Sequence, residues 1–127
     1  MYSNNQMVEQ AQANGAIPAF TIVAKDTSND GKCVPAITTG SQKLWGVSPN
    51  YSVATGAMLQ ITAGGVAQVI AGGSIANGDI LTNDTNGYAI TATNFSANKY
   101  NTIGIANRSA ATGDIIPVIV QPMNFAY

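Results

Sequence analysis

Histidine is absent from this 127-residue chain, and charge is scarce. Without an imidazole the sequence lacks the commonest general base, the usual partner of a serine or cysteine nucleophile, and the commonest zinc ligand. Charged side chains make up 9% of the residues, against an ordinary ~25%. Five are basic and six acidic, for a formal net charge of −1. Lys25, Lys32, Lys43, Lys99 and Arg108 are scattered. They form no basic stripe that could neutralise phosphates, so nucleic acid is not expected as a partner. The single Cys33 excludes an intramolecular disulfide. With no histidine to activate it, it reads as an inert thiol. No run of ~18 apolar residues is present, so no membrane-spanning helix and no membrane partner are expected. The polar start, MYSNNQMVEQAQANGA, has neither a basic opening nor an apolar h-region, and a secretory signal is not expected.

What remains is a chain that is 46% hydrophobic and solubilised by Asn, Thr, Ser, Gln and Gly rather than by charge. Its length fits one domain with a core that needs no disulfide or metal. A surface so poor in charge steers partners weakly and suits packing against other protein. The acidic residues are Glu9, Asp26, Asp30, Asp79, Asp84 and Asp114. A glycosidase needs two carboxylates at a fixed separation, but Asp79 and Asp114 hold equivalent places in a repeated turn. Asp79, Asn83, Asp84 and Asn86 collect oxygen atoms, yet they offer few charges to a calcium ion that takes six to eight oxygens. No enzyme activity, cofactor or metal is expected.

Turns dominate the pattern. Ser52-Val-Ala-Thr-Gly-Ala-Met-Leu59 matches Ser74-Ile-Ala-Asn-Gly-Asp-Ile-Leu81, and both match Ser109-Ala-Ala-Thr-Gly-Asp-Ile-Ile116. The spacing is uneven, so this is not a regular solenoid. In each copy a glycine (Gly56, Gly78, Gly113) accepts the positive φ of a tight turn. Asp79 and Asp114 can bond to nearby amides, and an Ile/Met/Leu pair then enters a strand. Strands are expected over residues 58–63, 66–71, 80–82, 88–93 and 115–120, punctuated by Gly64-Gly65, Gly72-Gly73 and Asn86-Gly87. A further strand over residues 20–25 would place Phe20, Ile22 and Ala24 on one face. Short strands at this spacing predict an all-β sandwich or barrel. Pro117 lacks an amide donor, which predicts an edge or bulged last strand. Residues 1–18 read as a polar arm, tolerant of a short helix over 6–13 and ended by Pro18, with the β domain over 19–127. Asp26–Lys43 carries no pattern that places its strands. Trp45 reads as core. Tyr51, Tyr100, Phe125 and Tyr127 lie beside turn or terminal residues and are candidate oligomer or partner contacts.

The stretch from Leu44 to Pro122 resembles the small capsid cement (decoration) proteins of tailed bacteriophages. The resemblance rests on Trp45-Gly46-Val47-Ser48, Ala54-Thr55-Gly56, Gly65-Val66-Ala67-Gln68-Val69, Asn77-Gly78-Asp79-Ile80-Leu81-Thr82, Gly87-Tyr88-Ala89, Ile103-Gly104-Ile105-Ala106 and Thr112-Gly113-Asp114-Ile115-Ile116-Pro117-Val118, in that order. It implies a compact β-barrel, or β-tulip, made in the host cytoplasm. Such a protein sits as a homotrimer on the outer capsid surface of the virion and stabilises contacts between major capsid protein subunits. It also implies that the arm, through Tyr2, Asn4, Asn5, Gln6, Met7 and Gln10, lies on the shell and adds to its strand edges. Removal of residues 2–16 should then leave the barrel folded. The alternative is a receptor- or carbohydrate-binding module of a phage fibre, with Trp45 and Tyr51 as an aromatic platform.

Overall fold

The computed structural model describes residues 7–39, 42–92 and 101–123. Among these, every regular element is a strand: β1 (Met7–Ala13), β2 (Ile22–Lys25), β3 (Lys32–Pro35), β4 (Leu44–Val47), β5 (Met58–Ile70), β6 (Ile80–Asn83), β7 (Ala89–Thr91), β8 (Thr102–Ala106) and β9 (Ile115–Met123). The order β1-β3-β2-β4-β5 closes on itself because β1 also pairs with β5, giving a five-stranded barrel. From β5 the sheet continues outward as β9-β8-β6-β7. The all-β barrel expected from the sequence is therefore the observed fold.

β5 holds the two parts together. Its first half, Met58 to Gly64, pairs with β1; its second half, Gly65 to Ile70, pairs with β9. The sequence suggested two strands broken at Gly64-Gly65, but the chain runs straight through, because both halves have a pairing partner. Two apolar cores result. One fills the barrel with Ala11, Ala13, Ile17, Val23, Cys33, Val53, Leu59 and Ile61. The other lies between the barrel wall and the outer sheet, and includes Ile22, Leu44, Val47, Val69, Leu81, Ile103, Ile116 and Val118. Along β2, Val23 faces the barrel core while Ile22 and Ala24 face the second, so this strand is buried on both faces.

The stretch read as an arm is, from residue 7 on, part of this body. Residues 7–13 are a strand rather than a helix, since β5 needs a hydrogen-bonding neighbour to close the barrel and Ala11 and Ala13 are buried there. A polar strand suffices because only its last residues face inward. Residues 1–6 lie outside the described residues. Within the unplaced stretch 26–43 sits β3, antiparallel to β2 and parallel to β1. β9 is neither an edge strand nor bulged at Pro117: it lies between β5 and β8, and its register against β5 runs unbroken through Pro117. The Pro117 carbonyl accepts from the Asn107 amide at 3.1 Å, so its ring nitrogen faces the same side, where β8 has already ended at Ala106. The missing donor leaves no ladder bond unmade.

The repeated motif forms one local device three times. Gly56, Gly78 and Gly113 have φ of 89°, 92° and 92°, as a type II turn requires of its third residue. The amides of Ala57, Asp79 and Asp114 close the turns onto Ala54, Ala76 and Ala111 carbonyls at 3.1, 3.0 and 3.1 Å. Asp79 and Asp114 add a carboxylate bond from the Ala76 and Ala111 amides, at 2.9 and 3.0 Å. The copies pair about a local two-fold. Ile75 and Ala110 exchange backbone bonds, while the Gly78 amide donates to Ala106 and the Gly113 amide to Ala71, both at 2.8 Å.

The first copy pairs in the same way with a fourth that the sequence conceals. Val53 and Ile17 exchange backbone bonds, the Gly56 amide donates to Ala13, and the Phe20 amide donates to Pro49. Phe20 thus occupies the glycine position and takes φ 57°, which only this non-glycine residue does among those described. It lies in the turn before β2, not in the strand expected over residues 20–25. Pro18 stands where Ala76 and Ala111 donate an amide, and it has none to give. Thr21 replaces the aspartate and reverses the bond, donating its hydroxyl to the Pro18 carbonyl at 2.9 Å.

Candidate interaction surfaces

β9 reads Ile-Ile-Pro-Val-Ile-Val-Gln-Pro-Met, apolar on both faces. Ile116, Val118 and Val120 point into the core; Ile115, Pro117, Ile119, Gln121 and Met123 point away from it. A sheet with one wet face normally alternates apolar and polar residues, and here the outer face is apolar. The register carries this across four strands: Val66 lies opposite Ile119, Ile119 opposite Ile105, and Ile105 opposite Ile80. These four are 47%, 41%, 37% and 45% exposed, respectively. Beside the row, Ile80, Thr102, Gly104, Ile105, Gln121 and Met123 line an apolar groove of about 80 Å³. No side chain of β6, β8, β9 or the second half of β5 is charged. The sequence signal was present in the unbroken run Ile115–Val120, which reads as a strand buried on both sides. Only the register shows that one side is open.

A second surface is the edge of β1. The Gln12 and Asn14 amides donate to Gly31 and Cys33, towards β3. Val8 and Gln10 share their direction by the two-residue period. Among the described residues no strand continues β3 beside them, and Met7, Val8, Glu9 and Gln10 are all exposed. Of the expected arm contacts, Met7 and Gln10 therefore stand on an open strand edge. Tyr2, Asn4, Asn5 and Gln6 lie outside the described residues.

Tyr51 is 54% exposed on the loop between β4 and β5. Its neighbour Asn50 shares a shallow hollow with Val66 and Gln68 at one end of the apolar row. Tyr100, Phe125 and Tyr127 lie outside the described residues. Trp45 is partly buried against the barrel core, as expected for a core residue. Its ring carries the Lys25 ammonium 4.5 Å from the centroid, and its indole N–H donates to Glu9 at 3.2 Å. One face of Trp45 lies under Lys25 and the ring packs on the core, while its open part lines a hollow with Asp26, Asn29, Asp30 and Lys32.

In the oxygen-rich hairpin the Asp79 and Asp84 carboxylates are bonded within the chain, while the Asn83 side-chain oxygen is buried without a hydrogen bond among the described residues. Asp79 accepts from the Thr91 hydroxyl at 2.9 Å as well as from Ala76, and Asp84 accepts the Asn86 and Tyr88 amides at 2.8 and 2.9 Å. Asn83 is fully buried, and its amide group donates to the Asp84 carbonyl at 2.8 Å. Asp26 binds the Asn14 and Asn29 side-chain amides and the Ser28 N–H, which hold its carboxyl below the usual range. Burial pushes the Cys33 thiol up to about 11.

No model of a known protein family matches the chain, and no curated protein matches it in sequence. Among solved structures, the chain is similar to the head fiber gp8.5 N base of bacteriophage phi29. The TM-score is 0.66 at 20% identity, and the match covers 96% of this chain and 99% of that one. The two share a fold from end to end.

Proposed function

We propose that the chain is a structural, non-enzymatic protein of a bacteriophage head. It sits as a trimer on the outer surface of the capsid, where it ties neighbouring major capsid protein subunits together. The carrying observation is the end-to-end likeness to the base of a phage head fibre, a chain that is almost entirely this fold. The charge-poor surface agrees with it, because contacts to a protein shell can be made by apolar patches and backbone bonds without electrostatic steering.

In this reading the open edge of β1 and the residues before it face the shell. Met7 and Val8 offer apolar side chains, and Val8 and Gln10 offer outward backbone groups, to an extended capsid segment in the manner of strand addition. Tyr2, Asn4, Asn5 and Gln6 prolong that contact. A ligand that binds only the assembled shell stabilises it by mass action, and three copies joined together turn weak single contacts into a firm one. The likeness to a fibre base favours a second reading, in which the domain anchors a longer fibre to the head.

The copy number of the chain in purified particles, measured by quantitative mass spectrometry against the major capsid protein, separates these. About one copy per capsid subunit supports the lattice-wide protein, a handful of copies supports the fibre base, and absence from the particle removes both.

A further inference from the structure

The outer face of β5, β9, β8 and β6 has the composition of an interior. We propose that it is where like copies of the chain meet, the Ile119 row of one copy packing against the same row of its neighbours. This rests on the oligomeric part of the reading above, and it assigns a surface to it.

Three observations select a second copy as the occupant. First, the face is free of charge across all four strands. A surface made of one kind of residue complements itself, since a like copy brings no ion to desolvate and no charge to repel. Second, the size fits. Strand spacing and rise put roughly 400 Å² of sheet behind the row. That is about half of the ~800 Å² that each partner gives to a stable interface, the share expected of an apolar centre within a polar rim. Gln68, Gln121 and Asn50 supply such a rim. Third, the rest of the molecule cannot compensate for leaving the face open. At 9% charged residues the chain has little to keep an exposed isoleucine sheet in solution before it reaches a shell, so the face is covered first by its own kind.

The groove beside the row shows how the contact can lock. Gly104 passes so close to β9 that a Cβ there would collide with the Ile119 carbonyl. This leaves a trough between Ile105 and Met123. An isoleucine from a neighbouring copy fits such a trough, which Ile80 and Gln121 also line.

The test is the mass of the purified full chain in solution, by light scattering after gel filtration, for the native protein, Ile119→Lys and Met58→Lys. Both substitutions place a charge at an exposed strand position, and Met58 lies outside both the apolar row and the open edge of β1. Unchanged circular dichroism shows that a variant folds, and Ile105→Lys stands in if Ile119→Lys does not. The native chain and Met58→Lys are expected to run as the same oligomer, with Ile119→Lys at least about a hundredfold weaker in association. A monomeric native chain overturns the inference, and so does an Ile119→Lys oligomer as stable as the native one. If the native chain is monomeric and Ile119→Lys loses capsid binding, the face belongs to the shell: this inference falls and the capsid reading stands. If the oligomer depends on Ile119 but no copies are found in virus particles, the capsid reading falls and the interface stands.

Discussion

Phe20 and Gly56 are partners across a local two-fold: the Phe20 amide donates to Pro49 at 3.1 Å, and the Gly56 amide donates to Ala13 at 2.8 Å. Their φ angles are 57° and 89°, so a phenylalanine holds the left-handed place that glycine holds in the other three turns. The two-fold about Ile75 and Ala110 repeats the arrangement with glycine on both sides.

This relationship sets an unusual order of stabilities at position 20. Phe20→Ala keeps the left-handed strain and loses the partly buried ring, whereas Phe20→Gly loses the ring but releases the strain. Phe20→Gly should therefore be the more stable of the two by about 1 kcal/mol, the reverse of the order in a strand interior. Urea denaturation of both variants checks it, and a more stable alanine variant would contradict the assignment.

Glycines in the fold divide into two groups by what a side chain would meet. At Gly78 and Gly113 nothing lies within 4 Å of an added Cβ, so alanine should cost only the backbone term, about 1–2 kcal/mol. At Gly46 and Gly104 a Cβ would strike the carbonyls of Thr62 and Ile119 in neighbouring strands. Alanine there should cost about 3 kcal/mol or more, because backbone has to move. Thermal unfolding of the four variants separates the groups.

The buried Cys33 should escape thiol reagents at pH 8 in the folded protein and react at once in denaturant, as a reagent titration will show. Its pKa is raised by burial to about 11. Because the folded value lies above the unfolded one, the thiol's contribution is fully present below the unfolded pKa and is lost as pH rises through the folded pKa. Stability should fall between roughly pH 9 and pH 11, and Cys33→Ala should remove that part of the fall.

Asp26 behaves in the opposite sense. Its folded pKa is lowered by the Asn14 and Asn29 side-chain amides and the Ser28 N–H, so its contribution is present above the ordinary carboxylate pKa and is lost as pH falls through the lowered one. Asp26→Asn should be less stable than the native chain at neutral pH and should converge with it in acid. Chemical denaturation at pH 7 and in the acid range measures the convergence.

Truncation distinguishes the strand from the segment before it. Removing residues 2–16 takes away β1, with Ala11 and Ala13, and exposes the edge of β5 and the barrel core. That variant should lose cooperative unfolding, contrary to what an arm predicts. Removing residues 2–6 should leave the melting transition in place and weaken binding to empty capsids in a co-sedimentation assay. Equal binding by the shorter truncation would exclude those residues from the contact.

Much of the local structure was legible in the sequence. The three copies of the turn, the strands that follow them at Met58, Ile80 and Ile115, and the barrel class all follow from short-range causes: a glycine where φ is positive, an aspartate one residue on, and an apolar pair entering a core. The fourth turn was hidden because Phe20, Pro18 and Thr21 replace each signature residue, and the side-chain bond between Thr21 and Pro18 runs in the opposite direction from its counterparts. In the sequence Met7 and Gln10 read as part of an arm, whereas they stand on an exposed strand edge. The apolar sheet face was missed, since the run Ile115–Val120 looks the same whether one side or both are covered.

What the sequence by itself determined, then, is where the chain turns, that its elements are strands, and that it carries no imidazole chemistry, because each depends on a residue and its near neighbours. Only the tertiary structure decided that a polar N-terminal strand closes the barrel, that β5 runs unbroken through two glycines, and that a central strand accommodates Pro117. It alone set which isoleucines meet water. Those outcomes depend on which strand lies alongside which, and pairing partners far apart in the chain leave no local mark.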